Sequence, residues 1–276
     1  MRTAVTATPT VTGISSPFVF QGSFRTTFPL IRRCGFRNVE LHLRDSSLID
    51  QQNLHQLLDE NGLHVSSIGT GEAYSIDHLS LSNDDSQIRA LAVERVKGHI
   101  LHAATYPHAV VIIGLLRGNI RDCTSKVSFE RHLLTSMEQC VETAAEHQVT
   151  LVIELINRYE TDYLNTVQEG LEFLKRIPSP FLKLHLDTFH MNIEESNIED
   201  SVLQAGKEIG HVHVADSDRW YVGHGHFPFI PFIDALEKTG YTETLSLECI
   251  SKPDPCICAT QSAHNLMVLL NRLGKN

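Results

Sequence analysis

The sequence lacks the features that mark membrane, secreted and nucleic-acid-binding proteins. No run approaches the ~20 consecutive apolar residues of a membrane-spanning helix. The first residues, MRTAVTATPTVTGISS, contain no apolar segment of the kind found in secretory signals. The formal net charge is −10 at pH 7, and no basic stripe offsets it, so binding to phosphate backbones has no electrostatic driving force. We therefore expect a cytoplasmic protein that binds neither membranes nor nucleic acids.

The six cysteines form no Cys-x-x-Cys pair, and nothing in the sequence requires cross-links. A chain of 276 residues, of which 42% are hydrophobic, is large enough to bury a sizeable core. Reduced and mostly packed thiols are therefore expected. No linker rich in proline, serine or glycine divides the chain. Residues 1–276 are predicted to form a single domain.

Short apolar segments alternate with longer amphipathic segments along the chain. The predicted strands are one within residues 4–14, then 38–43, 65–68, 109–113, 151–154, 182–187, 211–214 and 245–248. The predicted helices are 24–34, 49–60, 86–104, 129–147, 167–177, 198–205, 229–239 and 259–273. Such alternation indicates a parallel sheet. Eight units at this length favour a single (β/α)₈ TIM barrel over an open doubly wound sheet, which periodicity alone leaves possible. The polar connection 114–128 is predicted to be a functional loop.

Polar side chains end the last four predicted strands: Glu154, Asp187, His213 and Glu248. Active sites of barrels lie at the C-terminal ends of the strands, so these side chains are expected to meet at one mouth. Three carboxylates and one imidazole suit Mn²⁺, Mg²⁺ or Co²⁺ better than a structural zinc ion. Taken singly, each carboxylate could equally well cap the helix that follows it. Four potential ligands in register favour a metal site.

More polar residues follow these strand ends, on loops where barrels usually bind their ligands. They are Asn157, Arg158 and Glu160 after Glu154, His190 after Asp187, and Asp216, Asp218 and Arg219 after His213.

Four other residues receive weaker interpretations. His185 and His211 share the inward face with the predicted ligands and are expected to be hydrogen-bonded interior histidines. Trp220 either walls the pocket or packs under its loop. Glu72 is a candidate to reach the mouth of the barrel.

The residues around these strand ends resemble a known family. The stretches VIELINRYETD, LDTFHMNIEE, HVHVADSDRW and LSLE are similar to the D-tagatose 3-epimerase and sugar-phosphate isomerase/epimerase group of xylose-isomerase-like TIM barrels. VELHLRD, IGTGEAYSIDHLSLS and VVIIGLLRG look closer still to a subgroup that includes 5-keto-L-gluconate 3-epimerase. The resemblance covers nearly the whole chain and is specific for the family, but it does not specify the substrate.

The resemblance implies roles for seven residues and a set of partners. Glu154, Asp187, His213 and Glu248 would bind one divalent ion, with Mn²⁺ expected first, and Glu154 and Glu248 would also be the paired acid and base. A keto-sugar substrate and a homo-oligomer, a dimer or tetramer, are implied as well. The implied substrate contacts are Glu160, His190 and Arg219.

Two positions depart from the pattern of the family. Asp218 stands where many relatives have Asn, which affects the expected hydrogen bonding beside Arg219. Pro228 stands where relatives usually have Asp, which affects the expected support of the loop GHGHFPF.

The predicted function is the one that the resemblance implies, and the chemistry of ketose epimerisation explains why it would need these residues. A proton next to a carbonyl must be removed and then returned from the opposite face. A bound cation stabilises the resulting enediolate, and Glu154 and Glu248 are expected to exchange the proton. We therefore predict a metal-dependent ketose or keto-aldonate 3-epimerase. The alternatives are an aldose–ketose isomerase, an endonuclease-IV-like phosphodiesterase, a non-catalytic sugar-binding relative, or carboxylates that only cap helices.

Overall fold

Parallel strands close into a barrel in the computed structural model, which describes residues 1–13 and 15–273. The strands are β1 (Arg2–Thr8), β2 (Phe20–Gln21), β3 (Asn38–His42), β4 (His64–Gly69), β5 (Val110–Ile113), β6 (Thr150–Glu154), β7 (Leu182–Asp187), β8 (Ile209–Val214) and β9 (Thr244–Leu247). β1 pairs with both β3 and β9, and this pairing closes the ring. The two-residue β2 lies outside the ring beside the end of β1. The predicted eight-stranded TIM barrel is confirmed.

The helices surround this barrel. They are α1 (Phe24–Arg33), α2 (Gln51–Asn61), α3 (Gly71–Ser75), α4 (Ser86–Ala103), α5 (Lys126–Glu146), α6 (Val167–Arg176), α7 (Thr188–Glu194), α8 (Ile198–Ala205), α9 (Phe229–Thr239) and α10 (Pro255–Leu273). Local sequence explains several of their ends. Thr166 and Glu169 form a capping box at the start of α6. Gly62 and Gly240 end α2 and α9 in the left-handed conformation that glycine adopts without strain.

Several predicted boundaries are wrong, and capping explains two of them. α5 begins at Lys126 rather than 129 because the Ser125 side chain accepts a hydrogen bond from the backbone N–H of Ser128. The predicted loop therefore ends at residue 125, and it contains two short 3₁₀ turns. α10 begins at Pro255 rather than 259, since proline suits the first position of a helix.

The predicted first strand also needs correction. Residues 2–8 form β1, whereas residues 9–13 are not strand, and residue 14 lies outside the described residues. Proline at position 9 has no N–H to donate to a neighbouring strand. The short helices α3 and α7 were not predicted, because each is shorter than the periodic pattern that identifies a helix.

The barrel interior differs from the layer between strands and helices. Apolar side chains from both layers fill the space outside the strands, for example Leu41, Leu184 and Phe232. Inside the barrel, beneath the open mouth, lie buried polar groups that include Glu40 and His185. Among the described residues, no helix combines the length and apolar character needed to cross a membrane.

Candidate active site

A cavity of about 540 Å³ lies at the C-terminal ends of the barrel strands. Glu154, His213 and Glu248 reach it from the late strands. The three predicted substrate contacts also line it: Glu160, His190 and Arg219. Of the seven predicted site residues, only Asp187 does not line the cavity, and its side chain is fully buried. Apolar side chains complete the walls, among them Phe18, Ile112, Leu115 and Ile156.

The four predicted ligands meet at one point. Glu154, Asp187, His213 and Glu248 each offer one ligand atom, and these atoms lie within 4.8 Å of one another. His213 Nδ1 is 3.6 Å from Glu154 Oε1, from Asp187 Oδ2 and from Glu248 Oε2. That distance is too long for a hydrogen bond.

Two of these atoms lack any hydrogen-bond partner. His213 Nδ1 and Asp187 Oδ2 are buried and unpaired among the described residues. Buried polar atoms are normally paired, so an unpaired nitrogen facing an unpaired carboxylate oxygen needs an explanation. A divalent cation among the four side chains would bind both atoms. The residues therefore fit a metal ion by geometry and by chemistry.

Asp187 serves the helix cap and the cluster with different oxygens. Its Oδ1 accepts hydrogen bonds from the backbone N–H groups of Phe189, at 2.7 Å, and His190, at 3.1 Å, and so caps α7. Its Oδ2 faces His213 instead. The helix-cap interpretation is thus correct for one oxygen, and it leaves the other oxygen available to a cation.

The two predicted acid/base glutamates lie in different electrostatic environments. Burial raises the pKa of Glu154, but the imidazoles of His185 and His213 outweigh burial and lower the pKa to about 2. Burial raises the pKa of Glu248 to about 7, although His213 and Arg219 oppose that rise. Two carboxyl groups whose pKa values are pushed apart are typical of acid/base sites.

Arg219 connects two other site residues. Its Nη1 donates to Glu160 Oε1 at 2.9 Å, and its Nη2 donates to Glu248 Oε2 at 3.3 Å. The guanidinium also lies 4.9 Å from the centre of the Phe189 ring, within the range of a cation–π contact. Arg219 has a φ of +61°, which is unusual for a residue other than glycine. The contacts with Glu160, Glu248 and Phe189 together hold the Arg219 side chain in place.

Asn157 orients His190 and Glu160. Its amide Nδ2 lies 2.7 Å from His190 Nδ1 and 3.0 Å from Glu160 Oε1, and it donates to both. Because Nδ1 of His190 accepts this bond, Nε2 carries the ring proton. Nε2 lies 3.9 Å from Glu154 Oε1, so a donor N–H faces the cavity.

Glu40 is the main buried polar residue beneath the site that the sequence analysis missed. It is fully buried inside the barrel, and its carboxylate accepts hydrogen bonds from three imidazoles and a hydroxyl group. The donors are His213 Nε2 at 2.7 Å, His42 Nε2 at 2.8 Å, His211 Nε2 at 2.8 Å and Ser67 Oγ at 2.6 Å. A sequence signal was present, since Glu-x-His on β3 repeats the inward alternation of His-x-His on β8.

The predictions for the two interior histidines have different outcomes. His211 is hydrogen-bonded, as expected. Neither ring nitrogen of His185 has a hydrogen-bond partner among the described residues. His185 instead packs edge-on against His213, with ring centres 4.0 Å apart. The expected hydrogen bond of His185 is therefore wrong.

Glycines at the ends of two early strands make room for the site. A Cβ atom at Gly114 would lie 2.5 Å from Glu154 Oε2, and one at Gly69 would lie 2.4 Å from the His42 ring. Both distances are shorter than real Cβ contacts. A side chain at either position would displace a group that faces the cavity.

Three residues considered in the sequence analysis lie outside the cavity lining: Trp220, Glu72 and Arg158. Trp220 stacks on His224, with ring centres 4.4 Å apart, so the packing interpretation is the correct one. Glu72 is buried and holds Thr8 and Thr10 by hydrogen bonds, so it braces the loop after β1. Arg158 pairs with Glu194 at 2.7 Å.

Hydrogen bonds to a buried carboxylate support the loop that contains Asp218 and Pro228. Asp216 is buried and accepts hydrogen bonds from the backbone N–H groups of Ser217, Gly223 and Phe227. Asp216 therefore supports the loop even though position 228 is a proline. Asp218 accepts a bond from the Trp220 N–H at 3.2 Å, lies 2.6 Å from His224 Nδ1 and does not line the cavity.

Comparison with known proteins gives concordant matches. Residues 28–266 match the family described as Xylose isomerase-like TIM barrel. An L-ribulose 3-epimerase of Methylomonas sp. (strain DH-1) is 32% identical over 223 residues, covering 79% of this chain and 76% of that protein. A solved structure of L-ribulose 3-epimerase has a TM-score of 0.83 at 26% identity, covering 99% of this chain and 96% of the other.

A third match contains a sugar. The D-allulose 3-epimerase from Methylomonas sp. in complex with D-allulose has a TM-score of 0.79 at 26% identity, covering 97% of this chain and 96% of the other. The names of these relatives place them among ketose 3-epimerases. The similarity to the 5-keto-L-gluconate 3-epimerase subgroup stays a prediction.

Proposed function

We propose that this chain, which belongs to the xylose isomerase-like TIM barrel family, epimerises a free ketose at C3 and needs a divalent cation to do so. One observation carries the proposal. Glu154, Asp187 and Glu248 each place an oxygen 3.6 Å from His213 Nδ1. Glu154 and Glu248 also line the cavity. A cation site whose ligands include two opposed carboxylates suits proton exchange next to a carbonyl.

Glu154, Asp187, His213 and Glu248 would bind the cation, which would polarise the substrate carbonyl and make the neighbouring C–H more acidic. Mn²⁺ is our first choice for this oxygen-rich set. The oxygen-rich donor set and the two unpaired buried atoms support this assignment.

Glu154 and Glu248 would act on the C3 proton from opposite sides of the sugar. Glu154 ends β6 and Glu248 follows β9, so the two side chains enter the cavity three strand positions apart. One carboxylate removes the proton, which leaves an enediolate. The other carboxyl group then delivers a proton to the opposite face, and this inverts C3. Proton exchange with solvent then restores both carboxyl groups to their starting protonation states before the next turnover.

The remaining residues would hold the sugar and the glutamates in place. His190 presents its Nε2–H to a substrate oxygen beside Glu154. Arg219 holds Glu248 through one N–H group and Glu160 through another. Holding the sugar and the glutamates in fixed positions contributes to the rate, because the chemical step then carries no entropy cost for aligning them.

The charges of the cavity favour an uncharged ketose over a keto-aldonate or a sugar phosphate. Among the described residues that line the cavity, Arg219 is the one lysine or arginine. It is already paired with Glu160 and Glu248. An additional carboxylate or phosphate on the substrate would meet acidic side chains without a free cation to bind it. We further propose a cytoplasmic homo-oligomer, as the resemblance implies.

The test is isotope incorporation by the wild-type protein. Chelator-treated protein is given Mn²⁺ and L-ribulose or D-allulose in D₂O, and NMR follows deuterium at C3 together with the appearance of the C3 epimer. Both are expected with Mn²⁺, and neither without a divalent ion. Product with the carbonyl moved to C1 would identify an aldose–ketose isomerase instead. Absence of deuterium exchange on every ketose and keto-aldonate tried would refute catalysis.

A further inference from the structure

Glu40 is a buried carboxylate that the proposed proton exchange does not use. Its side chain is fully enclosed in the barrel, and no lysine or arginine of the described residues lies within 4.0 Å of it. Barrel interiors are usually filled with branched apolar side chains. A buried carboxylate is costly unless its partners satisfy it. Its position therefore calls for a role other than packing.

The two oxygens of Glu40 have different partners. Oε1 accepts from Nε2 of His213 and of His42, and Oε2 accepts from His211 Nε2 and Ser67 Oγ. An ionised carboxylate can only accept hydrogen bonds. The 2.7 Å contact therefore requires a proton on His213 Nε2. A neutral ring then has its lone pair on Nδ1, the atom that faces the three carboxylates.

We propose that Glu40 is a positioning residue that sets the tautomer and ring orientation of His213, so that Nδ1 is presented to the cation. This inference rests on the proposed metal site. The support for a ligand on β8 thus comes from β3, three strand positions away around the barrel. The same oxygen holds His42, which lines the cavity 3.8 Å from Glu248 Oε1. Glu40 thus connects one ligand with the wall beside another.

The first test replaces Glu40 by the isosteric amide. In Glu40→Gln one acceptor oxygen becomes an NH₂ group, which cannot accept from an imidazole N–H. Loss of such a supporting partner typically weakens metal binding roughly 10–100-fold, and we expect a loss of that size. The measurement is a Mn²⁺ titration of chelator-treated protein, with free Mn²⁺ followed by EPR and folding checked by circular dichroism.

Ser67→Ala is the matched control. It removes a donor to Oε2 and leaves the bond between Oε1 and His213 intact. We expect Mn²⁺ affinity close to that of the wild type. A folded Glu40→Gln protein with wild-type Mn²⁺ affinity would overturn the inference. An equal loss in Ser67→Ala would also overturn it, since general loosening of the network would then explain both.

A second measurement uses the wild-type protein and so does not depend on the folding of a variant. In protein labelled with ¹⁵N-histidine and loaded with Mg²⁺, the ¹⁵N spectrum should show His213 protonated at Nε2 and unprotonated at Nδ1. A proton on Nδ1 contradicts the assigned tautomer. If the wild type binds neither Mn²⁺ nor Mg²⁺, the proposed metal site itself fails, which is a different result from a Glu40→Gln protein that binds normally.

Discussion

The late and early halves of the barrel contribute different things to the site. Strands β6 to β9 supply all four predicted ligands, each at or beside the end of its strand. Strands β1 and β3 to β5 supply none of them. They provide Glu40, the glycines at positions 69 and 114, and apolar walls. Under the proposed mechanism, one half carries the reacting groups, and the other half holds these groups in place and leaves room for them.

This division predicts an order of effects. Changes to reacting groups should affect the chemical step, whereas changes to the early half should act through the geometry of the late half. A fold that supports many chemistries by varying strand ends and loops can separate the two tasks in this way. The following predictions run from the largest expected effect to the smallest.

Glu154→Gln and Glu248→Gln should have the largest effect. Each amide keeps the shape of the side chain but cannot accept the C3 proton as a base, so kcat should fall by about 10²–10⁴-fold. The measurement is the rate of C3 deuterium exchange at saturating Mn²⁺, with Glu199→Gln on the surface as the control. Exchange at the wild-type rate in both variants would refute the acid/base assignment.

Asp187→Asn should separate the two jobs of that side chain. The amide oxygen can still cap α7, so the melting temperature should change little. The charge that faces His213 is lost, and because Asp187 is a proposed ligand, Mn²⁺ affinity should fall by at least the roughly 10–100-fold that is typical of losing a partner of a ligand. Isothermal titration and a thermal melt of the same sample give both numbers. Unfolding together with unchanged affinity would favour the simple helix-cap interpretation.

Gly114→Ala tests the early half. The added methyl group would lie 2.5 Å from Glu154 Oε2, so Glu154 must shift, and kcat should fall on the order of 10-fold. Gly98→Ala is the control, because Gly98 lies in α4 outside the cavity lining and a Cβ atom there meets nothing within 4 Å. Equal kinetics in the two variants would show that the early half does not limit the geometry of Glu154.

Arg219→Lys should have the smallest effect. Lysine keeps the charge but cannot contact Glu160 and Glu248 with the same planar group. Because lysine keeps the charge, the loss is that of about one ordinary hydrogen bond, which should raise KM about 2–10-fold with a smaller change in kcat. Steady-state kinetics and metal content are measured together. A fall in bound metal would mean that Arg219 supports the cation site rather than the sugar.

The late half was predictable from the sequence because its signals are local. Glu154, Asp187 and His213 each end a short apolar segment, and the position of a strand end is readable from the segment itself. The early half gave weaker signals. Glu40 occurs inside a strand, where a single acidic residue is compatible with several environments. The clearance around Gly114 depends on a side chain 40 residues away in the sequence.

The sequence by itself determined the alternation of strands and helices, most helix ends, and the residue types at the mouth of the barrel. These features depend on periodicity, caps and glycine conformation, which act over a few residues. Only the tertiary structure decided that β1 meets β9, that Asp187 divides its oxygens between a helix and the cluster, and that Glu40 holds His213. These contacts join residues far apart in the chain, and closure of the barrel is what brings them together.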